Sequence, residues 1–234
     1  MTFVQIIDCK TDRVDDMNRL LDKWVEQTHG KRTATHATVA TDRADKHHVI
    51  EIVEFPSYEE AMRQSNLPET NRIFEEMVAL CDMPPTFTDL DVVRDEQLNK
   101  MVCRRFFDVI STGEFDALEQ VLDSGYREFD PNNEEQNTSI DMARAEVQMY
   151  HAAFSDFRFT LDDQIAEGDK VCNRWTWTGT HTGEFIGIAP TKRKVTMTGT
   201  TIHRLENGMI QEAWWSYDFL GALRQIGAVD MPQG

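Results

Sequence analysis

The chain has 234 residues, 40% hydrophobic and 28% charged, which suits two ordinary soluble domains or one large one. Its net charge of −17 is spread along the chain, with 11 basic against 20 acidic side chains in residues 1–96 and 13 against 21 in residues 97–234. Such a field repels phosphate backbones and anionic headgroups, which argues against nucleic-acid and membrane partners. No run approaches the ~18 apolar residues of a membrane helix, and the opening MTFVQIIDCKTDR lacks signal-peptide features, so a cytoplasmic location is expected.

The first unit reads β-α-β-β-α-β. Residues 2–8 form a strand, and Val14, Met17, Leu20, Leu21, Trp24 and Val25 make one apolar stripe of a helix. Thr11 or Asp12 can cap that helix and Gly30 can end it. Strands at 33–42 and 47–55 flank a polar turn. Ser57 with Glu60 forms a capping box for a second helix, interrupted at Asn66-Leu67-Pro68 and resumed through Ile73, Met77 and Leu80. A last strand follows at 86–94, and this order is that of a ferredoxin-like sandwich. The polar segment 95–100 is the expected boundary, giving domains 1–95 and 96–234.

The second unit opens with a helix carrying Met101, Val102, Phe106, Val109 and Ile110 on one face and ending at Gly113. A short helix at 115–122, an irregular segment at 129–133 and a helix at 138–154 come next. Four long strands are expected at about 156–167, 170–182, 193–206 and 209–218, with hairpin turns at Gly168-Asp169 and Asn207-Gly208. A short amphipathic helix at 219–226 closes this α+β unit, which encloses a cavity between sheet and helices.

On the last strand Ile210, Glu212, Trp214, Ser216 and Asp218 alternate on one face. If that face meets the cavity, Asp218 is a desolvated carboxyl suited to moving a proton on carbon. In the other reading Asp218 caps the closing helix. One strand earlier Val195, Met197, Gly199, Thr201 and His203 share a face. His203 is then either a hydrogen-bonded core group or a donor to a substrate carbonyl that approaches Asp218. Trp175 and Trp177 are either core or pocket wall. The glycines at 183 and 187 lack phosphate-loop spacing, and His36, His47 and His48 lack metal-ligand spacing, so no metal is expected. Cys9, Cys81, Cys103 and Cys172 lie far apart without a CxxC pair and are expected as buried thiols.

Residues 98–229 resemble the SnoaL-like polyketide cyclases, a branch of the nuclear-transport-factor-type cone-shaped α+β barrels. The matching text is Gly168-Asp169, GTHTGEFIGIAPTKRKV (179–195), HRLENGMIQEAWWSYD (203–218) and FLGALRQIGA (219–228). The resemblance implies a cofactor-free intramolecular aldol condensation on a hydrophobic aromatic polyketide. It implies Asp218 as acid/base and His203 as a cavity histidine, with Trp214, Trp175, Trp177, Met197, Thr201 and Phe129 around the substrate. Where relatives often carry a histidine, this chain reads Phe129-Asp130-Pro131.

Residues 1–94 look like the dimeric α+β barrels of the antibiotic-biosynthesis monooxygenase type, on element order. That resemblance implies a homodimer and, for some relatives, cofactor-free oxidation of anthrone-like phenols. Trp24 is the aromatic residue to consider there, although it lies on the helix core stripe. The leading expectation is a cyclase-like enzyme; the alternatives are an oxygenase or oxygenase-cyclase, and a non-catalytic module that binds hydrophobic small molecules.

Overall fold

The computed structural model describes residues 2–93, 97–132 and 136–229. The chain divides into two compact units, Met1–Asp95 and Glu96–Gly234. The boundary expected at residues 95 and 96 lies outside the described residues. Among the described residues no helix is long and apolar enough to cross a membrane.

In the N-terminal unit the elements run β1 (Phe3–Lys10), α1 (Val14–Gln27), β2 (His36–Thr41), β3 (His48–Phe55), α2 (Tyr58–Ser65), α3 (Pro68–Leu80) and β4 (Thr86–Asp91). The strands pair antiparallel in the order β2-β3-β1-β4. The period-2 pattern sends Phe3, Ile7, Cys9, Val49, Val53 and Phe55 to one buried face. Met17 and Leu20 of α1 and Ile73 of α3 supply the facing apolar stripes.

The helix ends follow local chemistry. Ser57 Oγ accepts from Glu60 N–H at 3.3 Å, so α2 has the side-chain cap its sequence announces. Pro68 at the first turn of α3 starts a new helix instead of prolonging α2. Thr11 does not cap α1, whose N-cap is Arg13 without a side-chain bond. Its hydroxyl instead accepts from Arg13 N–H and donates to the Leu80 carbonyl, tying β1 to the end of α3.

The C-terminal unit contains α4 (Leu98–Thr112), a 3-10 turn (Phe115–Gln120), β5 (Leu122–Phe129), α5 (Ile140–Ala153), β6 (Phe154–Glu167), β7 (Lys170–His181), β8 (Lys194–Glu206), β9 (Met209–Tyr217) and α6 (Phe219–Ile226). Its sheet has the order β5-β9-β8-β7-β6, antiparallel except that β5 runs parallel to β9. Asn207 and Gly208 both have positive φ (53° and 77°), the conformation of a tight two-residue hairpin between β8 and β9. Gly113 ends α4 in the left-handed region. Register breaks along β6, between 155 and 158 and between 161 and 163, bend the sheet over α4 and α5.

One strand departs from the sequence reading. Residues 122–129 form β5, in the stretch between the short helix expected to end at 122 and the irregular segment expected from 129, where no strand is expected. The segment LDSGYREF contains a glycine and several polar residues, and its pairing with β9 is itself broken between 122 and 127. Its strand character therefore comes from a distant partner and not from local propensity.

Candidate active site

The long strands build the inner surface first. Along β7, Val171, Asn173, Trp175, Trp177 and His181 are buried; along β8, Val195, Met197, Thr201, His203 and Leu205 are buried. Trp175 Nε1 donates to Thr201 Oγ1 at 2.8 Å, so two buried polar groups satisfy each other. The register sets Gly199 between Trp175 and Tyr217. A Cβ at 199 would lie 2.5 Å from the Trp175 ring and 2.7 Å from the Tyr217 Cβ, so the absent side chain is what lets the two rings meet.

On β9 the simple alternation fails. Leu205 pairs with Ile210 but Arg204 pairs with Glu212, which leaves Gln211 as an extra residue. This bulge reverses the parity of every later side chain. Ile210 and Ala213 are buried, and Trp215 and Tyr217 face the interior. Glu212 goes to the other side, where Arg204 donates to it. Trp214 follows, stacked on Phe129 of β5 with ring centres 5.5 Å apart and planes 9° apart.

The resulting cavity, about 60 Å³, lies between α4, α5 and the sheet. Phe106, Phe157, Phe159, Trp175, Trp177 and Trp215 form an aromatic wall. Glu128, Asp130, Glu146, Tyr150 and Tyr217 form its polar end, and no Lys, Arg or His lines it among the described residues.

The polar end is densely bonded. Asp130 is buried (3% exposed); its Oδ1 accepts from the backbone N–H and side-chain amide of Asn132 at 2.8 and 3.1 Å, and its Oδ2 accepts from the Tyr217 hydroxyl. Gln136 clamps the Asp130 backbone, accepting from its N–H at 2.6 Å and donating to its carbonyl at 3.0 Å. Tyr126 donates to Glu128 Oε2 at 2.9 Å. Asn137 donates to Glu128 Oε1 at 3.3 Å and also bridges to Glu146.

Burial, then the nearby Glu146 charge, pushes the Glu128 pKa up to about 8, so a carboxyl here stays protonated at neutral pH. Burial and the surrounding carboxylates likewise raise the Tyr126 and Tyr150 hydroxyls. Burial raises the Tyr217 hydroxyl too, followed by the influence of Tyr150 and Asp130. These phenols therefore act as hydrogen-bond donors. A neutral carboxyl, a second carboxyl and a tyrosine at one end of an apolar space can exchange protons with a carbon acid.

Of the residues singled out in the sequence, Trp175, Trp177 and Met197 line the cavity, with Thr201 behind them bonded to Trp175. The expectation that Trp214 and Asp218 face inward is corrected by the bulge at Gln211. Asp218 is exposed and caps α6, its Oδ1 accepting from Gly221 N–H at 2.8 Å. Phe129 is 38% exposed and sits with Trp214 on the outer face.

His203 is fully buried but lies outside the cavity lining. It packs edge-on to Phe106 with ring centres 5.0 Å apart, and its Nδ1 meets the Asn173 side-chain amide at 3.2 Å. Burial pushes its pKa down to about 3, so the ring is neutral. Nor does it approach Asp218. His203 pairs with Ala213, whereas the Asp218 N–H points to the Thr198 carbonyl, five residues or about 17 Å further along β8.

Glu128, Asp130, Glu146, Tyr150 and Tyr217 were not among the residues expected from the sequence. The available signal was the alternation Tyr126, Glu128, Asp130 in YREFD, which becomes readable once β5 is recognised as a strand. Among the described residues no His, Cys, Asp and Glu side chains group to hold a metal ion.

Comparison with known proteins agrees with this architecture. Residues 100–226 match the family model described as SnoaL-like polyketide cyclase. TsrD from Streptomyces laurentii is 28% identical, covers 58% of this chain and 99% of its own, and superposes with a TM-score of 0.53. AclR from Streptomyces galilaeus, provisionally named a hydroxylase, is 24% identical over 58% of this chain and 85% of its own, with a TM-score of 0.52. IdmH from Streptomyces antibioticus, provisionally named a polyketide cyclase, is 24% identical over 56% and 99%, with a TM-score of 0.50. The last two show the shared fold alone. Among curated proteins none matches the chain.

Proposed function

The chain belongs, through residues 100–226, to the SnoaL-like polyketide cyclase family, and we propose that its C-terminal unit closes a ring in an aromatic polyketide-type substrate by acid/base catalysis. The observation that carries this reading is the buried Asp130–Tyr217 pair beside the protonated Glu128, at the polar end of an aromatic cavity. The acid/base role expected of Asp218 is thereby reassigned to Asp130.

In this mechanism Asp130, held in place by Tyr217, removes a proton from the carbon alpha to a carbonyl, and the protonated Glu128 donates a hydrogen bond to the enolate oxygen. The enolate carbon attacks a second carbonyl of the same molecule, forming one C–C bond. Asp130 then returns its proton to the new alkoxide. No electrons leave or enter, so the cycle runs without a redox cofactor and conserves mass. The cavity of about 60 Å³ has room for little more than the reacting atoms. A multi-ring substrate therefore requires wall side chains to move aside.

Incubation with a panel of anthraquinone-type keto esters, followed by mass spectrometry, tests the proposal. A product of unchanged mass is expected, formed about 10²–10⁴-fold more slowly by Asp130→Asn and at nearly normal rate by Asp218→Asn. Loss of activity in Asp218→Asn with Asp130→Asn unaffected would return the chemistry to the expected residue. A product heavier by one oxygen would instead favour an oxygenase.

The N-terminal unit supports a ferredoxin-like reading through its strand order. Its second sheet face carries Val4, Ile6, Ile50, Ile52 and Leu90 in adjacent register positions, with Ile52 36% and Leu90 41% exposed. This favours pairing of two chains through their sheets. Sedimentation equilibrium should give twice the chain mass, and a single-chain mass at micromolar concentration would rule that pairing out.

A further inference from the structure

The N-terminal unit holds a cavity of about 330 Å³ between the sheet and helices α1 and α3. Its wall is mostly apolar, with Ile7, Leu20, Val49, Val53, Ile73 and Met77 contributing. A space of this size in a well-packed domain is typical of a small-molecule site.

One residue breaks the apolar wall. Along β3 the helix-facing positions are Val49, Glu51, Val53 and Phe55; the three apolar ones are buried, and Glu51 lines the cavity between Ile7 of β1 and Val39 of β2. Glu51 makes no hydrogen bond or ion pair among the described residues. Burial raises its pKa, so its charged form is costly until a cation arrives.

Several donors around the same space are already engaged. Trp24 Nε1 donates to Thr70 Oγ1 at 3.3 Å, as does Gln64 Nε2 at 3.0 Å, and Gln5 Nε2 donates to Asp89 at 2.9 Å. Gln64 Oε1 accepts from Thr33 N–H at 2.8 Å. No Lys, Arg or His lines the cavity among the described residues. Among the described residues the Glu51 carboxyl is thus left without a cation to meet it, and the acidic unit around it attracts cations.

We propose that the N-terminal cavity is a second small-molecule site, selective for a hydrophobic amine. The apolar body of one or two rings fills the space between sheet and helices, and the ammonium group donates a charge-assisted hydrogen bond to Glu51. This site is independent of the C-terminal acid/base cluster and stands whether or not ring closure occurs there.

Titration calorimetry of the full chain with 1-naphthylmethylamine, 1-naphthalenemethanol and 1-naphthoate tests it. The amine should bind at least about tenfold more tightly than the alcohol, and the carboxylate should not bind measurably. Glu51→Gln should weaken the amine by at least about tenfold while leaving the alcohol unchanged. Val39→Phe, which fills the space opposite Glu51 without touching its charge, should weaken both and serves if Glu51→Gln is poorly folded. Equal affinity for amine and alcohol overturns the proposal. So does undiminished amine binding in both variants, which would move the amine elsewhere on the chain, and so does absence of binding by all three probes.

Discussion

Both units fold a sheet against helices around an internal space, but the two spaces are built differently. The N-terminal one holds about 330 Å³ and, among the described residues, a single carboxyl, Glu51, set in an apolar wall. The C-terminal one holds about 60 Å³, with aromatic rings packed close and its carboxyls tied to Tyr126, Asn132, Asn137 and Tyr217. The first arrangement has room for a molecule and little to fix reacting atoms. The second has polar groups held in place by hydrogen bonds, as the proposed acid/base chemistry requires. The comparison predicts that the C-terminal carboxyls matter to folding through their partners, whereas Glu51 is a cost to the fold.

The largest effect expected from this difference is a pair of opposed pH dependences in the C-terminal unit. Glu128 titrates near 8 in the folded chain and near 4.3 when unfolded. The folded state therefore holds the extra proton between those values, and the stability it contributes is present at low pH and lost as pH rises. His203 titrates near 3 when folded and near 6.5 when unfolded. Its contribution is present above about 6.5 and lost as pH falls. Between pH 7 and pH 5 each group changes stability by about 2 kcal/mol, in opposite directions.

The two contributions nearly cancel in the parent chain. On acidification from pH 7 to pH 5, Glu128→Gln should lose about 2 kcal/mol, and His203→Asn should gain about as much. Urea midpoints followed by tryptophan fluorescence report this, since four of the five tryptophans (Trp175, Trp177, Trp214 and Trp215) are in the C-terminal unit. Parallel pH slopes in parent and variants would mean that neither group is buried as described.

The same contrast explains what could be read from the sequence. The alternation of β7 and β8 was legible because each has an unbroken inner face, Val171 to His181 and Val195 to Leu205. The α+β class and the N-terminal element order were legible for similar reasons, from stripes, caps and turns. The site was not, because its geometry depends on pairing across strands. The bulge at Gln211 exists only in the register of β9 on β8, and it exchanges Trp214 and Asp218 for Trp215 and Tyr217. β5 exists only as the parallel partner of β9, and without it Glu128 and Asp130 have no assigned face. Glu51 was hidden differently, as one acid in a strand whose helix-facing side could not be distinguished from its other side by composition.

The smallest effect separates the two cavities most directly. Replacing Glu128 by Leu leaves the buried Tyr126 hydroxyl without its acceptor and removes a partner of Asn137, and should cost about 1–3 kcal/mol. The same change at Glu51 removes a half-buried carboxyl with no hydrogen-bonding partner among the described residues and completes an apolar row with Val49, Val53 and Phe55. Glu51→Leu should therefore raise stability, by about 1 kcal/mol, measured as a higher urea midpoint with an unchanged slope. A fold that retains a destabilising group at the wall of a cavity of this size does so against its own packing, as expected where the group serves a ligand. If Glu51→Leu instead destabilises the chain as much as Glu128→Leu does, then Glu51 is a structural group, and the contrast between a roomy capture site and a preorganised reaction site fails at its N-terminal end.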